Sequence, residues 1–223
     1  MDSHNKKLST IPIHKAALER YSSRFKIYGE DAKSLGWGSL SDQILRFSQV
    51  AKLLPDKIEG VLDIGCGFAD LLNYFLTKKI YFKNYCGIDI TEEFIKVAIK
   101  NNIKKDNIEF YISDLENFNS IKSNNFFSTS IMLGLLNYNL GSYEKNMKYT
   151  KHMIEKAFSF TKGTLIVDFL SINITETYPK ETKVFYHDPS TILNFALSLT
   201  PKVKIIHDYK PIPQREFLLS ISK

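Results

Sequence analysis

Cysteine is scarce in this chain. Its 223 residues hold only Cys66 and Cys86, and with so few a disulfide framework is not expected. Both cysteines read as reduced core thiols, and no Cys/His cluster has zinc spacing, so no metal is expected. No run approaches the ~20 apolar residues of a spanning helix. Residues 1 to 15 also lack the roughly 7 to 15 consecutive apolar residues of a secretion signal. A cytoplasmic protein with no membrane partner is the expectation. A block of one charge sign is missing too. The net charge is +6, from 30 Lys and Arg against 24 Asp and Glu, but the lysines are spread as short pairs (6 and 7, 78 and 79, 104 and 105). Lysines spread this way cover solvated faces, whereas a nucleic-acid surface needs them gathered. Nucleic acid is therefore not the expected partner.

A hydrophobic content of 43% beside 24% charged residues is that of a globular chain, and 223 residues suffice for one α/β domain with a full core. Its centre is Val61-Leu62-Asp63-Ile64-Gly65-Cys66-Gly67-Phe68-Ala69-Asp70. An apolar run too short for a helix meets two glycines, and helical spacing follows in Leu71, Leu72, Tyr74, Phe75 and Leu76, which reads as strand, tight turn, helix. Glycine at 65 and 67 permits positive φ and lets a ligand approach the backbone, beside the unpaired N–H groups of the helix start. A dinucleotide fingerprint would require Gly or Ala where Asp70 stands, and a carboxylate there repels pyrophosphate. With Asp63 two residues before the first glycine, the turn suits a ligand carrying an ammonium group and no phosphate.

Asp63-Ile-Gly65-Cys-Gly67-Phe-Ala69 resembles motif I of the class I S-adenosylmethionine-dependent methyltransferases. A D-x-G-x-G turn also arises as a plain strand-to-helix connection, so the downstream pattern decides between the two. The resemblance implies an α/β fold: a Rossmann-like sheet of seven strands, the seventh antiparallel. It also implies S-adenosyl-L-methionine as cofactor, S-adenosyl-L-homocysteine as product, and motif I, with Gly65, Cys66 and Gly67, around the methionine end. Residues 85 to 90 form a second strand ending in Asp89, 26 residues after Asp63. Asp89, with Ile90, matches motif II and its grip on the ribose hydroxyls; the competing role of helix cap is weakened because Thr91 already offers one. Residues 108 to 112 form a third strand before Asp114 and Leu115, which match the acid and backbone N–H that meet adenine. Three acids at three consecutive strand ends are much harder to obtain by chance than one.

Ahead of the sheet, residues 10 to 29 and 41 to 54 read as two amphipathic helices with Pro12 in the first turn, Gly29 and Pro55 as stops, and Ser41 and Asp42 at the second start. Residues 1 to 9 read as a frayed tail. The pattern Gly29-x5-Leu35-Gly36-Trp37-x-Ser39-x3-Gln43-x2-Arg46-Phe47 resembles the helical lid of small bacterial methyltransferases. Residues 1–55 are thus expected to form a lid and 56–223 the cofactor-binding domain. Trp37 either anchors the lid or lines the acceptor pocket. Tyr21 and Gln43 join it as acceptor candidates, although for Tyr21, Arg24, Gln43 and Arg46 a helix surface or cap is the plainer reading.

Residues 126 to 133 form a fourth strand, and Gly134 then lets the backbone approach the cofactor, while Asn137 faces the acceptor or simply forms a turn. No Asp/Asn/Ser-Pro-Pro-aromatic motif follows it and no Pro-Cys nucleophile exists, so exocyclic-amine and cytosine-C5 methylation of nucleic acids are disfavoured. A helix runs from Ser142 to about 160 with Gly163 as its stop, then come strands at 165–171, 203–207 and 216–221, the last two joined by a Pro211-x-Pro213 turn, and a helix at 190–199. For a hydroxyl acceptor a base is expected. His187, on the carboxyl side of the sheet, is the first candidate and His207 the second, and Tyr186 beside His187 is a further acceptor candidate. The expected activity is methyl transfer to an O, N or carboxylate of a small molecule. Its rivals are RNA methylation, which needs a basic face at the pocket mouth, and a relative that cyclises or merely binds the cofactor.

Overall fold

A computed structural model describes residues 12–102, 106–118, 127–176, 178, 180–210 and 215–223. Seven strands form one sheet: β1 Gly60–Ile64, β2 Asn84–Asp89, β3 Ile108–Ile112, β4 Phe127–Met132, β5 Thr161–Leu170, β6 Val203–Ile206 and β7 Glu216–Ser222. Their order is β3-β2-β1-β4-β5-β7-β6, and β7 runs antiparallel to both β5 and β6. This is the expected seven-stranded methyltransferase sheet. Parallel pairing needs crossovers, which the helices α3 Asp70–Thr77, α4 Glu92–Asn101, α5 Tyr143–Phe160 and α6 Pro189–Leu199 supply. Helices α1 Pro12–Tyr28 and α2 Leu40–Ala51, with a 3-10 turn Ala32–Leu35 between them, precede the sheet.

Both faces of the sheet are covered, which is why β1 is apolar at nearly every position and buried throughout. Leu62 and Ile64 point to the side of Ile154, Ala157 and Ile192, from α5 and α6. Val61 points to the side of Phe47 and Val50 of α2, and Leu72 and Phe75 of α3. A third, smaller cluster seats α1: Phe68, Phe94 and Val97 receive Tyr21, Phe25 and Leu35, with Phe68 and Phe94 ring centroids 4.9 Å apart. Burying aromatic surface here holds α1 across the carboxyl ends of the strands.

Local signals and observed boundaries agree closely, with instructive exceptions. Gly29 does end α1, at φ 61° with its N–H on Phe25 O. The second helix is capped by Ser39, whose hydroxyl accepts the Asp42 N–H, two residues before the expected start. Gly163 is not a helix stop: α5 passes directly into β5 at Thr161, and Gly163 lies within the strand. A Cβ at Gly163 would stand 2.4 Å from Ser128 O, beside the register shift in the β4–β5 pairing, so the glycine serves a tight strand approach. The expected tail at 1 to 9, the Phe126 strand start and the Pro211-x-Pro213 turn lie outside the described residues.

Candidate active site

Register brings three carboxylates together. Asp63 pairs with Gly87 and Asp89 with Ile112, so the carboxyl ends of β1, β2 and β3 lie side by side, with Asp114 two residues beyond β3. Asp63, Asp89 and Asp114 all line one cavity of about 450 Å³, within the size range of small-ligand sites. Gly65, Cys66, Gly67, Ile90, Leu115 and Gly134 line it too. The nine residues expected around a cofactor thus share one wall.

The turn between β1 and α3 is held by Gly65 and Cys66, whose N–H groups both donate to Ile88 O at 2.8 and 3.0 Å. Gly65 and Gly67 have φ of 76° and 54°, and Ala69 follows at 65°, a left-handed value costly for a residue with a Cβ. Asp63 is 3% exposed and accepts a hydrogen bond from the buried Tyr85 hydroxyl. Burial pushes its carboxyl up to about 7, against the Tyr85 bond, and the negative charges of Asp89 and Asp70 push the same way. Cys66 is likewise pushed up by burial, so neither nucleophile nor redox chemistry suits it. Neither cysteine forms a disulfide.

Asp89 is oriented by the backbone. One oxygen accepts the Gly67 N–H at 3.1 Å and the other the Thr91 N–H at 2.8 Å, ties that partly offset the upward push of burial. Thr91 occupies the N-cap of α4 but makes no side-chain hydrogen bond to the helix start, so the cap expected of it is not formed. Asp114 accepts from the Asn117 backbone and side chain and from His14 of α1 at 3.1 Å. Burial opposes ionisation there, yet the His14 and Asn117 bonds outweigh it and hold the carboxyl below its ordinary value.

The helices ahead of the sheet supply the opposite wall. Tyr21, Trp37 and Gln43 line the same cavity as the acids, as do Arg20, Arg24 and Arg46. Gln43 and Arg46 are 1% and 3% exposed, so reading them as helix surface is corrected: both face inward. The Gln43 amide donates to Asp70 at 2.9 Å. Arg46 forms a bidentate pair with Glu216, Nε at 2.9 Å from Oε2 and Nη2 on Oε1, and lies 3.4 Å from Asp168. Its guanidinium stacks on Trp37 at 4.1 Å, and Trp37 in turn abuts the Gly134 backbone. Gly134 N–H is engaged by Asp168 at 2.6 Å. Asn137 lines the cavity but spends its side-chain oxygen on the Leu170 N–H, which supports its turn reading in part.

Three expectations fail on geometry. His187 is fully buried, edge-on to Phe169 and Phe185, with Nε2 3.0 Å from the Thr150 hydroxyl. Burial lowers it to about 3, and it does not line the cavity, so it cannot serve as the base there. Tyr186 is also buried away from the cavity, its hydroxyl accepting the Glu181 N–H; Tyr178, Glu181 and Val184 of the same loop line the cavity instead. His207, the second base candidate, packs against Phe217 after the edge strand β6 and is likewise absent from the lining. Missed altogether were Tyr85, Asp168, Glu216 and Gly87. Only Gly87 carried a signal, an isolated glycine within a strand; its Cβ would meet Cys66 Sγ at 2.8 Å. Among the described residues no three His, Cys, Asp or Glu side chains form a metal cluster, and no helix is long and apolar enough to cross a membrane.

No curated protein sequence matches the chain. Solved structures do share its fold. N-methyltransferase NodS from Bradyrhizobium japonicum WM9, in complex with S-adenosyl-L-homocysteine, superposes with a TM-score of 0.65 at 14% identity, over 92% of this chain and 98% of its own. Magnesium protoporphyrin IX methyltransferase (ChlM) from Synechocystis PCC 6803, with bound S-adenosyl-L-homocysteine, gives 0.63 at 15% identity over 94% and 99%. The plantazolicin methyltransferase BpumL, in complex with a pentazolic desmethylPZN analog and S-adenosyl-L-homocysteine, gives 0.57 at 15% over 95% and 96%. A family model described as a methyltransferase domain matches residues 55–185, more than half of the 223. On that match, and on the sheet and strand-end acids already described, the chain belongs to the class I methyltransferase-domain family.

Proposed function

We propose that this protein is an S-adenosylmethionine-dependent methyltransferase that modifies a small molecule enclosed beneath residues 12–51. The observation that carries the reading is the convergence of Asp63, Asp89 and Asp114 on the one cavity that also holds the Gly65–Gly67 turn. The donor set fits the group. A Cβ at Gly65 would stand 2.7 Å from Leu135 and one at Gly67 2.7 Å from Leu35, so both glycines border the cavity where side chains could not. Asp63 is placed for an ammonium, Asp89 for vicinal hydroxyls, and Asp114 with Leu115 for an amino-purine edge, with His14 sharing the Asp114 oxygen. Asp70, where pyrophosphate would have to dock, argues against a dinucleotide.

The bound cofactor supplies an electrophilic methyl group on a sulfonium. What the chain contributes is placement: holding two reactants in line can provide roughly 7–11 kcal/mol. Tyr21, Trp37 and Tyr138 offer aromatic surface to an acceptor, and α1 and α2 border the cavity beside them. Among the described residues no histidine other than His14 lines the cavity, and His14 is bound to Asp114. An acceptor already ionised or already a free amine suits such a wall, because it needs no base. RNA methylation is the weaker reading: α1 and α2 border the cavity, where RNA would need an open basic face.

Titration calorimetry with S-adenosyl-L-homocysteine tests the reading. The wild type is expected to bind it, and Asp89→Ala to lose at least about tenfold in affinity, the scale of charge-assisted hydrogen bonds to two hydroxyls. Unchanged affinity in that variant overturns the assignment of Asp89. Labelled-methyl transfer to a metabolite extract then separates a transferase from a protein that only binds or cyclises the cofactor, the latter releasing methylthioadenosine from cofactor alone.

A further inference from the structure

The cavity is polarised. Its strand-end wall carries carboxylates; its α1 wall carries Arg20, Tyr21 and Arg24. Arg20 and Arg24 stand one helical turn apart, and like charges at that spacing destabilise a helix slightly. Nothing in the described fold offsets this: among the described residues neither arginine pairs with a carboxylate. Arg20 lies over the Tyr138 ring at 5.8 Å; Arg24 gives its Nε to Lys33 O at 2.7 Å and lies 5.7 Å from the Tyr28 ring. The Tyr21 and Tyr138 hydroxyls have no hydrogen-bond partner among the described residues either. The other acids of the lining are engaged elsewhere. Glu216 holds Arg46, Asp70 takes the Gln43 amide, Asp42 takes the Ser39 hydroxyl, and Glu181 takes the Tyr178 hydroxyl. The α1 wall is therefore rich in donors, with two guanidiniums that no carboxylate pairs among the described residues.

From this we infer that Arg20 and Arg24 anchor a carboxylate carried by the acceptor, so that the substrate class is a small carboxylic acid with a flat or aromatic body against Tyr21, Trp37 and Tyr138. Guanidinium forks match carboxylate geometry and hold it better in a partly dry cavity than in water. The methyltransferase reading enters in one respect only, the assignment of the strand-end acids to the cofactor. An anionic acceptor also accords with a cavity whose only histidine among the described residues is bound to Asp114.

The chain has a single tryptophan, Trp37, on the cavity wall, so its fluorescence reports occupancy. Benzoate, phenylacetate and hexanoate, each beside its primary amide, are titrated into the wild type with and without saturating S-adenosyl-L-homocysteine. At least one carboxylate is expected to bind at least about tenfold tighter than its amide, as a charged hydrogen-bonded pair implies. In Arg20→Gln/Arg24→Gln the preference should shrink to about twofold, while Arg20→Lys/Arg24→Lys, which keeps the charge but loses the planar fork, should fall between that and the wild type. Thermal unfolding confirms that each variant is folded, and S-adenosyl-L-homocysteine affinity should change by less than about threefold in both. A fall of tenfold or more in that affinity assigns the arginines to the cofactor's own carboxylate and overturns the inference. Amides binding as well as acids, or no acid binding at all, overturns it too. If the wild type fails to bind S-adenosyl-L-homocysteine, the methyltransferase reading falls, while the acid-against-amide comparison without it still tests the arginines.

Discussion

Asp63, which we propose meets the cofactor's ammonium, is a buried acid whose proton is held to about pH 7. A cationic ligand needs the carboxylate, so below that pH binding must expel a proton, and affinity for S-adenosyl-L-homocysteine is expected to fall by up to about tenfold per unit as the pH drops. The measurement is calorimetry in buffers of different ionisation heat, where proton release near pH 6 should appear and vanish in Asp63→Asn. The sign for folding is the reverse of the usual acid. Because the folded value is raised, the stabilising contribution of the neutral form is present below about pH 4 and is lost as the pH rises through about 7. Tyr85 moderates this by donating to the carboxylate. At the same scale His187 shows why a motif in sequence is not a place in space. The loop after β5 does lie on the ligand side of the sheet, but a bridge to Ser171 and two flanking phenylalanines turn this imidazole into the core. His187→Phe should therefore spare methyl transfer wherever the variant folds, and its effect should be read in thermal stability.

Among the elements, β1 and its turn were legible because parallel-sheet strands are apolar on both faces and glycines mark the turn. Boundaries were less so. Gly163 looked like a helix stop, since nothing in a local pattern says that a strand begins within two residues of a helix end. The backbone oxygen of Ser128 at 2.4 Å from a hypothetical Cβ is a contact that β4 supplies from 35 residues away. Gly163→Ala is expected to destabilise the fold by about 1–3 kcal/mol, the scale of overpacking, because a strand and not a side chain must move. Thermal unfolding checks this, and an unchanged midpoint would contradict the tight β4–β5 approach. Asp89 belongs to this scale as well: it joins the α4 start to motif I through two backbone N–H groups, which fixes the two β-strand ends relative to each other.

Across the whole molecule, Arg46 ties the helices ahead of the sheet to its far side. One guanidinium on α2 bonds Glu216 of β7 and neighbours Asp168 of β5, which in turn holds Gly134 beyond β4. Truncating it leaves two buried carboxylates without a counter-charge, so Arg46→Met is expected to cost about 3–5 kcal/mol. The Arg46→Met/Glu216→Met double variant should recover part of that loss. Urea unfolding of the four corners of this cycle measures it; a double variant no better than the single one would mean that packing on Trp37, and not charge, is what Arg46 supplies.

Sequence by itself determined the sheet, the strand-end acids and the glycine turn, because each is encoded within a dozen neighbouring residues by period, propensity and spacing. Only the tertiary structure decided that Arg46 meets Glu216 across 170 positions, that Gln43 and Arg46 face inward, that His187 is core, and that Arg20 and Arg24 share a wall. Such pairings depend on how elements close over one another. That closure is driven by apolar burial at Phe68, Phe94 and Phe47, which carries no local record of the polar side chains it brings together.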